Sequence, residues 1–141
     1  MEHLVFVYGT LKEGFPNFHV NHGRRIGGDF VTTTPHRLLV IGEAGLPWLL
    51  PQDGHAQARP VTGQLYAVDD AGLARMDVLE QIDEAGWYLR RRIAVQPAEG
   101  GAALEAWVYF GDPARVALEP LRHGPLAVYT PAHARCYREG H

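Results

Sequence analysis

His3-Leu4-Val5-Phe6-Val7-Tyr8-Gly9-Thr10-Leu11-Lys12-Glu13-Gly14-Phe15-Pro16-Asn17 is the stretch from which the rest of the chain can be read. From Leu4 to Tyr8 it is apolar, β-branched and aromatic, the composition of a strand buried on both faces, and Gly9 and Gly14 stop it abruptly. A buried strand therefore empties into a glycine-flanked loop. With no Cβ on Gly9, the peptide N–H groups around Thr10, Leu11 and Lys12 can turn toward a carboxylate or a developing oxyanion, with the Thr10 hydroxyl beside them. An ordinary strand end whose glycine makes a turn fits the same residues. The phosphate-binding loop spacing fails, because Phe15 and Pro16 follow Gly14 where Lys and Ser or Thr are required, so the loop is not read as a nucleotide site.

Downstream, Asn17 to Asn21 reads as a short helix capped by Asn17, and Gly23, Gly27 and Gly28 read as breaks in regular structure. Asp29 to Thr34 and Arg37 to Ile41 are β-prone segments separated by Pro35, and Trp48-Leu49-Leu50 begins another strand. Pro51 to Pro60 is polar and rich in breakers, the pattern of a mobile surface loop. Val61 to Val68 alternates as a strand, with Gly63 marking a bulge or a close approach. Trp87 to Gln96 and Leu104 to Phe110 flank Glu99-Gly100-Gly101 as the two arms of a hairpin. After Gly111-Asp112-Pro113 the pattern weakens to a short helix over Ala114 to Leu121 and an irregular tail. Many short strands with one clear helix argue for an α+β fold on a small mixed β-barrel or curled sheet, with residues 1–141 as one domain. Periodicity alone does not fix the closure.

That helix runs from Ala71 to about Ile82, with Asp69 and Asp70 as caps. At about 100° per residue, Leu73, Met76 and Leu79 centre an apolar stripe from which Glu80 is displaced by only about 40°, while Asp77 falls near its edge. Glu80 is thus projected toward the core, where burial raises a carboxyl pKa and makes it a candidate general base or acid. Pairing with an arginine such as Arg90, or reaching water at the helix end, satisfies the same position.

Composition narrows the field of functions. The chain has 141 residues with 46% hydrophobic and 21% charged, within the globular range, and its formal charge of −3 offers no footprint for nucleic acid. Arg90-Arg91-Arg92 is the one basic cluster; in a strand its guanidiniums alternate on a solvated face, unless Arg90 or Arg92 turns inward to hold a carboxylate. No apolar run approaches the roughly 20 residues of a membrane span. Cys136 is alone and no leader pattern precedes the first strand, so a soluble, reducing, cytoplasmic setting is the expectation. His19 and His22, and the group His133, Cys136 and His141, lack a zinc-type framework, so no metal is expected.

Val5 to Gly14 followed by Pro16-Asn17, then Leu46-Pro47-Trp48-Leu49-Leu50, Val61 to Asp69, and Leu73 to Glu80 followed by Tyr88-Leu89-Arg90-Arg91, resemble in order the γ-glutamyl cyclotransferase-like superfamily, also called AIG2-like, and within it the γ-glutamylamine branch. The resemblance covers most of residues 4 to 95 and fades after Pro97. It implies a small β-barrel flanked by helices, with Glu80 as proton acceptor and Tyr8, Gly9, Thr10 and Leu11 binding the γ-glutamyl group. It also implies that the α-amine of a small-molecule substrate attacks its own γ-carbonyl, releasing 5-oxoproline and a free amine without a cofactor. Tyr88 follows the helix as the family's tyrosine does, and with Tyr8 and Trp48 it is a candidate pocket wall. Cyclotransfer on other γ-glutamyl peptides, and a binding module without turnover, are the alternatives.

Overall fold

The computed structural model describes residues 1–80 and 87–138. Eight strands and three helices follow one another as β1 (His3–Val7), β2 (Arg24–Thr32), β3 (Leu38–Ile41), β4 (Leu46–Leu49), β5 (Thr62–Val68), α1 (Asp70–Glu80), β6 (Tyr88–Pro97), β7 (Leu104–Gly111), α2 (Pro113–Val116), β8 (Leu121–His123) and α3 (Pro131–Ala134). A 3₁₀ turn, Phe18–Val20, follows the first loop.

Strand β1 is buried on both faces, as its composition foretold. It pairs antiparallel with β5 along its whole length and parallel with β7 at Val5 and Trp107, which closes the ring β1-β5-β2-β6-β7 into a mixed barrel. Because successive strand residues face opposite sides, Val5 and Val7 enter one apolar cluster with Tyr66, Met76 and Trp48 while Phe6 and Tyr8 enter another with Leu65, Val95 and Val108. Full burial of one such side chain is worth about 1.5 to 3 kcal/mol, so a strand buried on both faces anchors two cores at once. Strands β4, β3 and β8 form a separate sheet in that order, and its edge strand β4 brings Leu46 and Pro47 to the loop that ends β1.

Local chemistry explains where the elements begin and end. Asp69 caps α1 by accepting the Gly72 N–H at 2.7 Å, while Asp70 meets His3 Nε2 at 2.6 Å. The hairpin β6–β7 pairs from Tyr88 opposite Gly111 to Val95 opposite Leu104. Gly63 is a close approach rather than a bulge: a Cβ there would stand 2.4 Å from the Val7 carbonyl oxygen.

Several expectations are corrected. Gly27 and Gly28 do not break the chain but sit inside β2, where the register jumps from Ile26 opposite Leu65 to Asp29 opposite Gln64, so β2 begins at Arg24 instead of Asp29. Gly27 adopts φ +60°, the left-handed conformation that a bulge tolerates in glycine. The helix expected over Ala114 to Leu121 is a single turn, Pro113–Val116, followed by the unforeseen β8, whose three exposed residues pair with β3. Asn17 makes no side-chain cap bond, since its amide is used elsewhere. Pro51 to Pro60 forms no regular strand or helix, as a loop should; Arg59 bridges His36, and Asp53 pairs with Arg37 at 2.7 Å. The expected end of α1 at Ile82 lies outside the described residues. Among those residues no helix is long and apolar enough to cross a membrane.

Candidate active site

The loop that leaves β1 is held by its own hydrogen bonds. The Lys12 N–H donates to the Gly9 carbonyl at 3.1 Å, and the Asn17 N–H to the Thr10 carbonyl at 2.9 Å. Lys12 therefore spends its N–H on the turn, against the expectation that it faces an anion. The Thr10 and Leu11 N–H groups have no acceptor among the described residues, which leaves two backbone donors where these residues line a cavity. Gly9 makes this possible by contact: a Cβ would stand 2.6 Å from Pro47 Cγ, so any larger residue would push the loop off β4.

A cavity opens to solvent above this loop. Tyr8, Gly9, Thr10, Leu11, Glu80 and Tyr88, all singled out from the sequence, line it together, with Glu80 carried in on the last residue of α1 and Tyr88 on the first of β6. Trp48 does not. Its ring packs behind Tyr88, with centroids 4.5 Å apart, and faces a second cleft beside Trp87 and Arg115.

Tyr109, Asn17 and Tyr137 complete the polar wall and were not foreseen as such. Tyr109 lies on a buried strand where core packing explains any aromatic. Asn17 read as a helix cap. Tyr137 lies in a tail without pattern, and no sequence signal ties it to the first loop.

The tyrosine hydroxyls around Glu80 are already committed. Tyr8 Oη donates to the Tyr109 carbonyl at 2.6 Å, Tyr88 Oη to the Pro47 carbonyl at 2.8 Å, and Tyr109 Oη to Asp77 Oδ1 at 2.7 Å. Asp77 is also paired with Arg90 at 3.0 Å, and Arg90 and Arg92 stack over the Trp107 ring. The arginine offered as a structural partner for Glu80 is thus held by the neighbouring acid.

Glu80 itself has no hydrogen bond or ion pair among the described residues. Part of its surface faces the cavity, yet the enclosing protein still dominates, and burial pushes its carboxyl up to about 8. A charge placed there raises Tyr8, Tyr88 and Tyr109 in addition to their own burial, so the three phenols surround the acid and stay protonated.

No Lys or Arg lines the cavity among the described residues. Lys12 turns away, with Nζ donating to the Tyr129 carbonyl at 2.5 Å and lying 4.4 Å from the Phe15 ring centroid. An anionic substrate group would therefore meet N–H and hydroxyl donors rather than a cation. The described residues contain no group of three His, Cys, Asp or Glu suited to a metal; His133 and Cys136 serve α3, where Cys136 Sγ donates to the His133 carbonyl at 3.2 Å, and His141 lies outside the described residues.

A family profile described as "Gamma-glutamyl cyclotransferase, AIG2-like" matches residues 5–127. Gamma-glutamylaminecyclotransferase B of Danio rerio is 36% identical over 114 residues, which are 75% of this chain and 58% of that protein. The Gamma-glutamylaminecyclotransferase of Homo sapiens is 41% identical over 106 residues, 70% of this chain and 65% of that protein. The chain thus spans less than two thirds of these two relatives. The crystal structure of an AIG2-like protein from Mus musculus superposes with a TM-score of 0.70 at 31% identity, covering 92% of this chain and 88% of that one.

Proposed function

This chain belongs to the γ-glutamyl cyclotransferase, AIG2-like family, and on that premise we propose that the cavity at Glu80 is the active site of a γ-glutamylamine cyclotransferase. The observation that carries the reading is Glu80: a carboxyl raised to about 8, without a hydrogen bond or ion pair among the described residues, facing the same cavity as two N–H groups of the first loop that have no acceptor among those residues.

The substrate enters with its α-amine protonated, since an α-ammonium titrates near 8. Its pKa matches that of Glu80, so proton transfer from ammonium to carboxylate is nearly thermoneutral and leaves a nucleophilic amine. The amine nitrogen attacks the substrate's own γ-carbonyl carbon and the new C–N bond closes a five-membered lactam. Negative charge collects on the carbonyl oxygen. Collapse breaks the bond to the leaving nitrogen, which takes the first proton back from Glu80; the carboxylate so restored accepts the second proton of the ring nitrogen and passes it to the departing amine, giving 5-oxoproline and the free amine in its ammonium form. No enzyme nucleophile and no cofactor enters this sequence.

Thr10 and Leu11 supply the donors for the oxyanion or for the α-carboxylate; one such donor is worth roughly 10² to 10³ in rate. The tyrosine walls hold the flexible γ-glutamyl chain in a ring-closing conformation, which lowers the barrier by orientation. The relatives' names favour γ-glutamyl amines over other γ-glutamyl peptides, and γ-glutamyl-ε-lysine is the amine we would try first. We place the reaction in the cytoplasm, which the free Cys136 suits.

The test is 5-oxoproline release from γ-glutamyl-ε-lysine and a panel of γ-glutamyl amines. Wild type should release it, and folded Glu80→Gln should lose about 10² to 10⁴ of the rate. A wild type that binds these compounds without turnover leaves a binding module.

A further inference from the structure

The family profile ends at residue 127, yet the cavity does not close there. Its far wall is Tyr137, carried on the segment that follows Tyr129. This segment is pinned at both ends. Tyr129 is fully buried, its ring 5.6 Å from Phe15 and its carbonyl holding the Lys12 ammonium. At the other end the Arg138 N–H donates to the Ala44 carbonyl at 2.8 Å. Between these anchors α3 turns the chain, its start fixed by the Thr130 N–H bonded to His133 Nδ1 at 3.0 Å. The result is a strap laid across the first loop.

The strap reaches the loop through one side chain. Asn17 Nδ2 donates to Tyr137 Oη at 2.7 Å and to Thr10 Oγ1 at 2.9 Å. Both amide hydrogens of Asn17 are thereby used. Thr10 accepts from Asn17, so its own hydroxyl hydrogen is turned away from that amide, and no acceptor for it exists among the described residues. Thr10 is buried at the cavity wall, where a donor without an acceptor is costly until a ligand supplies one.

We propose that Tyr137 is a positioning residue for the substrate: through Asn17 it fixes the Thr10 hydroxyl as a donor to the anionic end of the γ-glutamyl group. The inference rests on the reading of the cavity as a γ-glutamyl site, and it assigns the strap a part in recognition that the matched residues do not contain. Substrate specificity is then set partly by residues 129–138.

A hydrogen bond made alike in the ground state and the transition state appears in KM and leaves kcat unchanged. Tyr137→Phe, which keeps the ring, should raise KM for γ-glutamyl-ε-lysine and the Kd of 5-oxoproline roughly fivefold to tenfold, the worth of one neutral hydrogen bond, with kcat within about twofold. Thr10→Val should do at least as much. Since the two act along one chain, Tyr137→Phe combined with Thr10→Val should be no weaker than Thr10→Val alone.

A Phe variant with wild-type KM and Kd overturns the proposal, as does full additivity in the double variant; a merely structural strap would lower the melting temperature and leave both constants unmoved. The Kd of 5-oxoproline, read by calorimetry, separates this inference from the reading it rests on. If wild type binds 5-oxoproline without turnover and Tyr137→Phe weakens binding, the relay stands while the catalytic reading falls.

Discussion

Glu80 holds a proton that the unfolded chain would release. Its ordinary value is 4.5 and its folded value about 8, so between those limits the folded state binds more protons than the unfolded one. Stability then falls as pH rises through that window, with no such contribution below it. Glu80→Gln removes the difference. The melting temperature of the Gln variant minus that of wild type should therefore increase from pH 5 to pH 9; a gap that stays constant, or reverses, would mean that the carboxylate has a stabilising partner. On the proposed reading the same group would set the acid limb of catalysis: kcat/KM should rise with pH up to about 8, and a profile flat from pH 6 to 9 would remove Glu80 as the base. At this scale Glu80 was legible because helix periodicity projects a side chain inward whatever the fold around it. Tyr137 was not, because its place depends on a strap that crosses the loop more than a hundred residues away in sequence.

Strands were readable where their side chains alternate against a core, and unreadable where pairing alone defines them. Strands β5, β6 and β7 carry that alternation and lie within about two residues of the expected bounds. β8 has three exposed residues and exists only because β3 offers an edge. Glycine was the ambiguous letter: in β2 it makes a bulge, in β5 a contact. The two cases predict opposite outcomes. Gly63→Ala drives a Cβ against the Val7 carbonyl at 2.4 Å and the Phe6 ring at 2.8 Å, and should cost about 1 to 3 kcal/mol as overpacking. Gly28→Ala meets nothing within 4 Å and needs no left-handed backbone, so it should be neutral or stabilise by up to about 1 kcal/mol through the unfolded chain. Urea denaturation of both variants decides the matter; equal losses would mean that the close approach of β5 to β1 does not constrain the barrel.

Closure of the whole ring depends on β1, which pairs with β5 on one side and β7 on the other and feeds both apolar clusters. No periodicity in a single strand encodes such a partnership, which is why the barrel, as distinct from a curled sheet, came from resemblance rather than pattern. If β1 couples the two clusters, neither can melt alone. Trp48 is buried in the cluster of Val5 and Val7, and Trp87 and Trp107 pack against that same cluster, so tryptophan fluorescence follows it while the backbone signal follows the whole barrel. Tryptophan fluorescence and far-ultraviolet circular dichroism therefore report on different parts of the molecule, and their urea midpoints should coincide. Phe6→Ala, which opens a cavity on one side of β1 only, should shift both midpoints together by an amount equivalent to about 3 to 5 kcal/mol. Separate midpoints, or a shift confined to one probe, would show that the clusters unfold independently and that β1 does not join them into one cooperative unit.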